Sequence, residues 1–196
     1  MPSKEAQMIF YVHGFNSSKE SSTGKMLAEQ AGKPVVCLGY DCSKPFKENL
    51  ENLSLEAWKD MDGFDVIVGS SLGGFYACEM AKELQTCAVV FNPAMRPKSQ
   101  LHQFLGENVN FATGEKWTFT KDVLNSYPEE LKAPKGLPVK AYASRNDEVL
   151  PGNGDMVFEA FNDFEWMDSG HRVADFRKYI DVIKQYENIL GVSPDE

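Results

Sequence analysis

Short apolar runs punctuate the chain, each closed by a polar residue, a glycine or a proline. Met8-Ile9-Phe10-Tyr11-Val12 stops at His13-Gly14, and Pro34-Val35-Val36-Cys37-Leu38 stops at Gly39. Phe64-Asp65-Val66-Ile67-Val68 leads into Gly69, and Cys87-Ala88-Val89-Val90-Phe91 leads into Asn92-Pro93. Val139-Lys140-Ala141-Tyr142-Ala143 and Asp163-Phe164-Glu165-Trp166-Met167 complete the set. Runs this short, rich in β-branched and aromatic residues, predict strands buried on both faces. Between them, apolar residues recur three or four apart over 22–31, 46–61, 72–84, 156–161 and 173–190, which predicts amphipathic helices. In the last of these, Val173, Phe176, Ile180, Ile183, Tyr186 and Leu190 share one face.

This alternation predicts a three-layer α/β/α sandwich around a mostly parallel sheet of roughly six strands. If the second strand lies outside the first and the third returns on its other side, the order is 2-1-3-4-5-6. The ends of strands one and three then flank the crevice where open α/β sheets bind ligands. One interval breaks the rhythm. Residues 92–138 are proline-rich and hold no strong strand, which suits a small lid or elaborated crossover inside a single domain of 196 residues. Its deletion is expected to change substrate preference more than folding.

Charge narrows the partners. A net charge of −9 leaves no Lys/Arg cluster to displace phosphate counterions, which argues against nucleic acid and disfavours anionic membrane. The first residues carry no apolar stretch of signal-peptide length, and no run reaches the roughly 18 apolar residues of a membrane span. Cys37, Cys42, Cys78 and Cys87 lack CxxC spacing and paired histidines, so no metal site is expected. Cys78 and Cys87 read as small core hydrophobes. These features point to a cytoplasmic protein with reduced thiols that acts on a small molecule.

The sharpest chemical signal is Gly69-Ser70-Ser71-Leu72-Gly73, a G-x-S-x-G pattern between an expected strand and an expected helix. That context is the nucleophile elbow of α/β-hydrolases, with Ser71 exposed on a strained turn. Ser70 does not centre the motif. A nucleophilic serine needs a base, and in this fold the chain order is serine, acid, histidine, which excludes His13. His102 sits in a polar helical stretch too near Ser71 for an intervening acid strand, leaving His171 in the loop Asp168-Ser169-Gly170-His171-Arg172.

The acid should follow a strand between them. Asp147 does, with Glu148 held as the alternative; Asp168 suits a cap on the final helix, and Asp155 and Asp122 lack a strand-end position. The amides of Leu72 and Phe15 are expected to form the oxyanion hole, with His13 bracing the Phe15 loop. Met95 and Arg96, after the fourth strand, are candidate substrate-binding residues, although a surface ion pair is the default for Arg96. Phe15, Phe75, Tyr76 and Trp117 are further candidates for an apolar acyl pocket.

Together, Tyr11-Val12-His13-Gly14-Phe15-Asn16-Ser17-Ser18, Gly69 to Tyr76, Phe91 to Pro97, Ser144 to Val149 and Gly170-His171 resemble the small bacterial YqiA/YcfP-type hydrolases, an esterase-like branch of the α/β-hydrolase superfamily. The resemblance implies triad positions at Ser71, Asp147 and His171 and oxyanion positions at Phe15 and Leu72. Residues 99–135 match least well. The expected activity is cofactor-free cleavage of small carboxylic esters or thioesters through an acyl-enzyme. A binding protein on the same fold and an acyltransferase remain the alternatives.

Overall fold

The computed structural model describes residues 8–61 and 65–189; Phe64 and Leu190, expected in a strand and a helix, lie outside them. The main sheet has order β2-β1-β3-β4-β7-β8, with β1 at Ile9–Val12, β2 at Val35–Leu38, β3 at Val66–Ser70, β4 at Cys87–Phe91, β7 at Val139–Ser144 and β8 at Asp163–Met167. Every pairing in it is parallel. Counting only these strands, the order is the expected 2-1-3-4-5-6.

Alternation along the strands divides the core. In β1, Phe10 and Val12 join one apolar cluster while Ile9 and Tyr11 join the other. The first cluster packs helices α2 (Phe46–Trp58), α3 (Leu72–Leu84) and α6 (Asn153–Ala160) on one face of the sheet. The second packs α1 (Ser22–Ala31) and α7 (Ile180–Ile189) on the other. The four inner strands are buried on both faces, whereas edge strands β2 and β8 are only partly covered because each has a neighbour on one side.

Two expectations need correction. The last helix starts at Ile180 rather than at 173. The Asp175 carboxylate takes the Arg177 N–H at 3.0 Å, and Gln30 Oε1 takes that of Phe176 at 2.7 Å. These side chains divert amides that a helix would use, while Val173 and Phe176 still enter the core. Asp168 is therefore too far from α7 to cap it.

The second correction concerns 92–138. Besides α4 (Pro97–Leu101), a 3₁₀ turn at His102–Phe104 and α5 (Lys121–Ser126), it contains an antiparallel hairpin, β5 (Gly106–Val109) with β6 (Lys116–Phe119). Its positions alternate between exposed and partly or, at Phe119, fully buried, so the strands lack a continuous apolar run. Met95, Leu101, Phe119, Val123, Leu124, Tyr127 and Leu131 belong to the main core cluster. Deleting the whole interval would therefore remove part of the fold, not a detachable cover.

Candidate active site

The end of β3 and the start of α3 meet at Ser71, whose backbone is held at φ 56° and ψ −125°. A positive φ in a residue with a Cβ costs on the order of 1–3 kcal/mol, so the neighbours must impose it. They do so from both sides. Ser71 N–H donates to Phe91 O at 2.9 Å, and Ser71 O accepts from Ala94 N–H at 3.1 Å. Ser70 borders the same cavity as Ser71, but its hydroxyl lies 2.8 Å from that of Tyr11.

The flanking glycines are required by space. A Cβ on Gly69 would lie 2.2 Å from Gly73 O, and one on Gly73 would lie 2.1 Å from Val12 O. Both obstacles are backbone, which cannot swing aside. Gly73→Ala is therefore expected to destabilise the fold by about 3 kcal/mol or more. A urea titration checks it: a midpoint equal to wild type would mean that α3 does not press on β1 as described.

Asp147, buried beyond the end of β7, faces His171 from the loop after β8. His171 Nδ1 is 2.9 Å from each Asp147 oxygen. Oδ1 also accepts the N–H groups of Leu150 at 2.8 Å and Val149 at 3.0 Å. Burial pushes the Asp147 carboxyl up, but the bonds from His171 and these amides outweigh it, leaving its pKa below the usual carboxylate value. Asp147 thus stays ionised and accepts Nδ1–H, which leaves Nε2 as the basic nitrogen.

Glu148 takes a different part. Its side chain is exposed, and Oε2 accepts the His171 main-chain N–H at 2.8 Å rather than touching the ring. Asn92 holds the same loop from beneath: Nδ2 donates to His171 O at 2.8 Å, and Oδ1 accepts Ser144 N–H at 2.8 Å. Asn92 is fully buried and has φ 43°. It joins the ends of β4 and β7 to the histidine loop, a function the sequence pattern did not single out. Its position right after a buried strand, in place of the usual glycine or proline, was the available signal.

Ser71 and His171 line one cavity of about 430 Å³. Phe15, Leu101, Phe104, Phe111, Val149 and Leu150 supply its apolar walls, and Ser17, Ser22, Thr23 and Arg172 give it polar edges. Among the described residues, no hydrogen bond joins the Ser71 hydroxyl to His171; such bonds commonly tighten only with substrate bound. Leu72 N–H, in the first turn of α3, has no intrahelical acceptor and sits at the positive end of that helix. Gly14 brings the other loop close, because a Cβ built on it would be 3.5 Å from Ser71 Cβ.

His13 braces that loop. It is fully buried and stacks on Tyr40 with centroids 4.4 Å apart. Its Nδ1–H donates to Gly14 O at 2.8 Å, and Nε2 accepts Tyr40 N–H at 3.4 Å, which requires a neutral ring. Burial lowers its pKa from 6.5 to about 4, the Gly14 bond offsetting only part of that effect. Between those values the unfolded chain binds the extra proton. His13's contribution to stability is thus full above the unfolded value and is lost as pH falls through the folded one, by on the order of 3 kcal/mol. Urea midpoints at about pH 7.5 and about pH 4.5 should therefore converge in His13→Gln relative to wild type. An unchanged pH dependence in that variant would refute the assignment.

Other candidates fall elsewhere. Met95 is buried in the core, and Arg96 is exposed with Nε 3.8 Å from Glu130; neither lines the Ser71 cavity. Phe75 and Tyr76 are fully buried core residues, and Trp117 stands behind Phe15, with centroids 5.6 Å apart. His102 is exposed. Asp122 and Asp155 lie in the first turns of α5 and α6, where a carboxylate complements the helix dipole.

An open parallel sheet, an elbow after its third strand and a histidine loop after its last define an α/β-hydrolase fold. The mouse alpha/beta hydrolase domain-containing protein 10 shares it with a TM-score of 0.64 at 16% identity, over 92% of this chain and 90% of that one. The esterase domain of a Rhodothermus marinus protein gives 0.62 at 16% identity, over 97% and 88%. The chain belongs to the family described as Uncharacterised protein family (UPF0227), which matches residues 8–188. A relative in sequence, the UPF0227 protein YcfP of Salmonella paratyphi A, is 26% identical over 188 residues, covering 93% of this chain and 99% of its own length. Among the described residues, no helix is long and apolar enough to cross a membrane.

Proposed function

We propose that the protein is a serine hydrolase that cleaves carboxylic ester or thioester bonds of small acyl substrates. The observation that carries this reading is the ionised Asp147 bound at 2.9 Å to Nδ1 of a histidine that shares a cavity with a strained, half-buried serine.

In the first step, Ser71 Oγ attacks the acyl carbonyl carbon and its proton passes to His171 Nε2. The oxyanion is held by the N–H groups of Leu72 and Phe15, while Asp147 stabilises the imidazolium without taking its proton. The tetrahedral species collapses, the C–O or C–S bond breaks, and His171 protonates the leaving group. Water then attacks the acyl-enzyme, giving a proton to His171, which returns it to Ser71 as the acid departs. The apolar walls suit the acyl group, and the polar edges suit a hydroxylated leaving group.

Intact-mass labelling with a fluorophosphonate tests the reading. A single adduct is expected on wild type and none on Ser71→Ala or His171→Ala. Folded wild type that takes no adduct would overturn it and put ligand binding without catalysis first.

A further inference from the structure

Asn16, next to Phe15, is almost wholly enclosed and has φ 57°. Each polar group of its side chain faces the β5–β6 hairpin: Oδ1 accepts Trp117 Nε1–H at 2.8 Å, and Nδ2 donates to Val109 O at 2.8 Å. Its own carbonyl accepts Phe111 N–H at 2.9 Å, and its N–H donates to Cys42 Sγ at 3.3 Å. Asn110 adds a bond from Nδ2 to Ser17 O at 2.9 Å. The hairpin side chains reach the same place, since Trp117 and Phe119 both pack edge-on against the Phe15 ring.

The loop of residues 13–17 is thus pinned on two sides. His13 ties it to Tyr40 at the end of β2, and Asn16 ties it to the hairpin that carries Phe111 to the cavity. We propose that Asn16 is a positioning residue that yokes this hairpin to the Phe15 amide, so that the wall around the acyl group and an oxyanion donor move as one body. The inference rests on the serine-hydrolase reading of Ser71. An acyl group that seats well against the hairpin then also sets the Phe15 N–H, which couples acyl recognition to oxyanion stabilisation. Displacing a donor costs rate because the bond matters most when charge develops on the carbonyl oxygen.

Trp117→Phe tests this, since it deletes one N–H donor and keeps a ring against Phe15. Asn16→Asp is the companion, because aspartate tolerates a positive φ and can still accept from Trp117 but cannot donate to Val109 O. With p-nitrophenyl acetate and p-nitrophenyl hexanoate, kcat should fall about tenfold in each variant, with KM changed by less than about twofold. Phenylboronic acid, which forms a tetrahedral adduct on Ser71, should bind about tenfold more weakly, in step with kcat/KM. A structural role alone would shift the melting temperature without that proportionality. Unchanged kcat and boronate affinity in folded Trp117→Phe would overturn the inference while wild-type turnover upheld the hydrolase reading. Wild type inert to both esters and the fluorophosphonate would overturn both.

Discussion

Turnover of a p-nitrophenyl ester by Ser71→Ala is expected to fall by on the order of 10⁶-fold, with what remains supplied by binding and the oxyanion amides. The loss is this large because Ser71 stands on the strained elbow and the adjacent hydroxyl is already engaged. Ser70 lines the same cavity, but its hydroxyl is bonded to Tyr11, and the elbow is fixed by the bonds from Ala94 and to Phe91 that flank Ser71. Ser70→Ala is the matched control and should lose less than about tenfold, since its hydroxyl is bonded to Tyr11 and it ends β3 rather than standing on the strained turn. Steady-state rates on both variants decide the matter. Retention of more than about one per cent of wild-type turnover by Ser71→Ala would place the nucleophile elsewhere.

The second large effect separates two adjacent carboxylates. Asp147→Asn should lower kcat by about 10⁴-fold, because an amide cannot select the Nδ1–H tautomer or stabilise the imidazolium as a carboxylate does. Glu148→Gln should cost less than about tenfold, because a glutamine carbonyl can still accept the His171 main-chain N–H that Glu148 now accepts. Measuring kcat for both variants on one ester gives the comparison. The reverse ranking would assign the acid's role to Glu148. Neither change should prevent folding, which far-UV circular dichroism would verify.

Much of this arrangement was legible in the sequence because its signals are local. A run such as Val66-Ile67-Val68 before Gly69 is continuous in apolar character, as a strand covered on both faces must be, and the glycines beside Ser71 mark close backbone approach. The hairpin escaped notice because Gly106-Glu107-Asn108-Val109 covers only part of one face and holds no apolar stripe. The start of the last helix was misplaced because Val173 and Phe176 keep helical spacing while packing from turns. Asn92 and Asn16 are harder still. Their work is long-range hydrogen bonding to residues about 80 and about 100 positions away, which no local pattern encodes. Arg96 illustrates the converse: its place after a strand end suggested the crevice, yet the chain turns it out to Glu130.

The pairing of Ala88 with Val139 has a consequence for how the protein comes into being. Strands β2, β1, β3 and β4 all come from the first half of the chain and are joined by short crossovers, whereas β7 must close a far longer loop before it can dock. Ser71 belongs to the early part, and Asp147 and His171 arrive with the late one. Under the proposed mechanism, the serine emerges from the ribosome before its base, as an ordinary alcohol. Hydrolysis by that mechanism would therefore wait until the C-terminal third is in place, and its appearance would report complete folding rather than the first compact state.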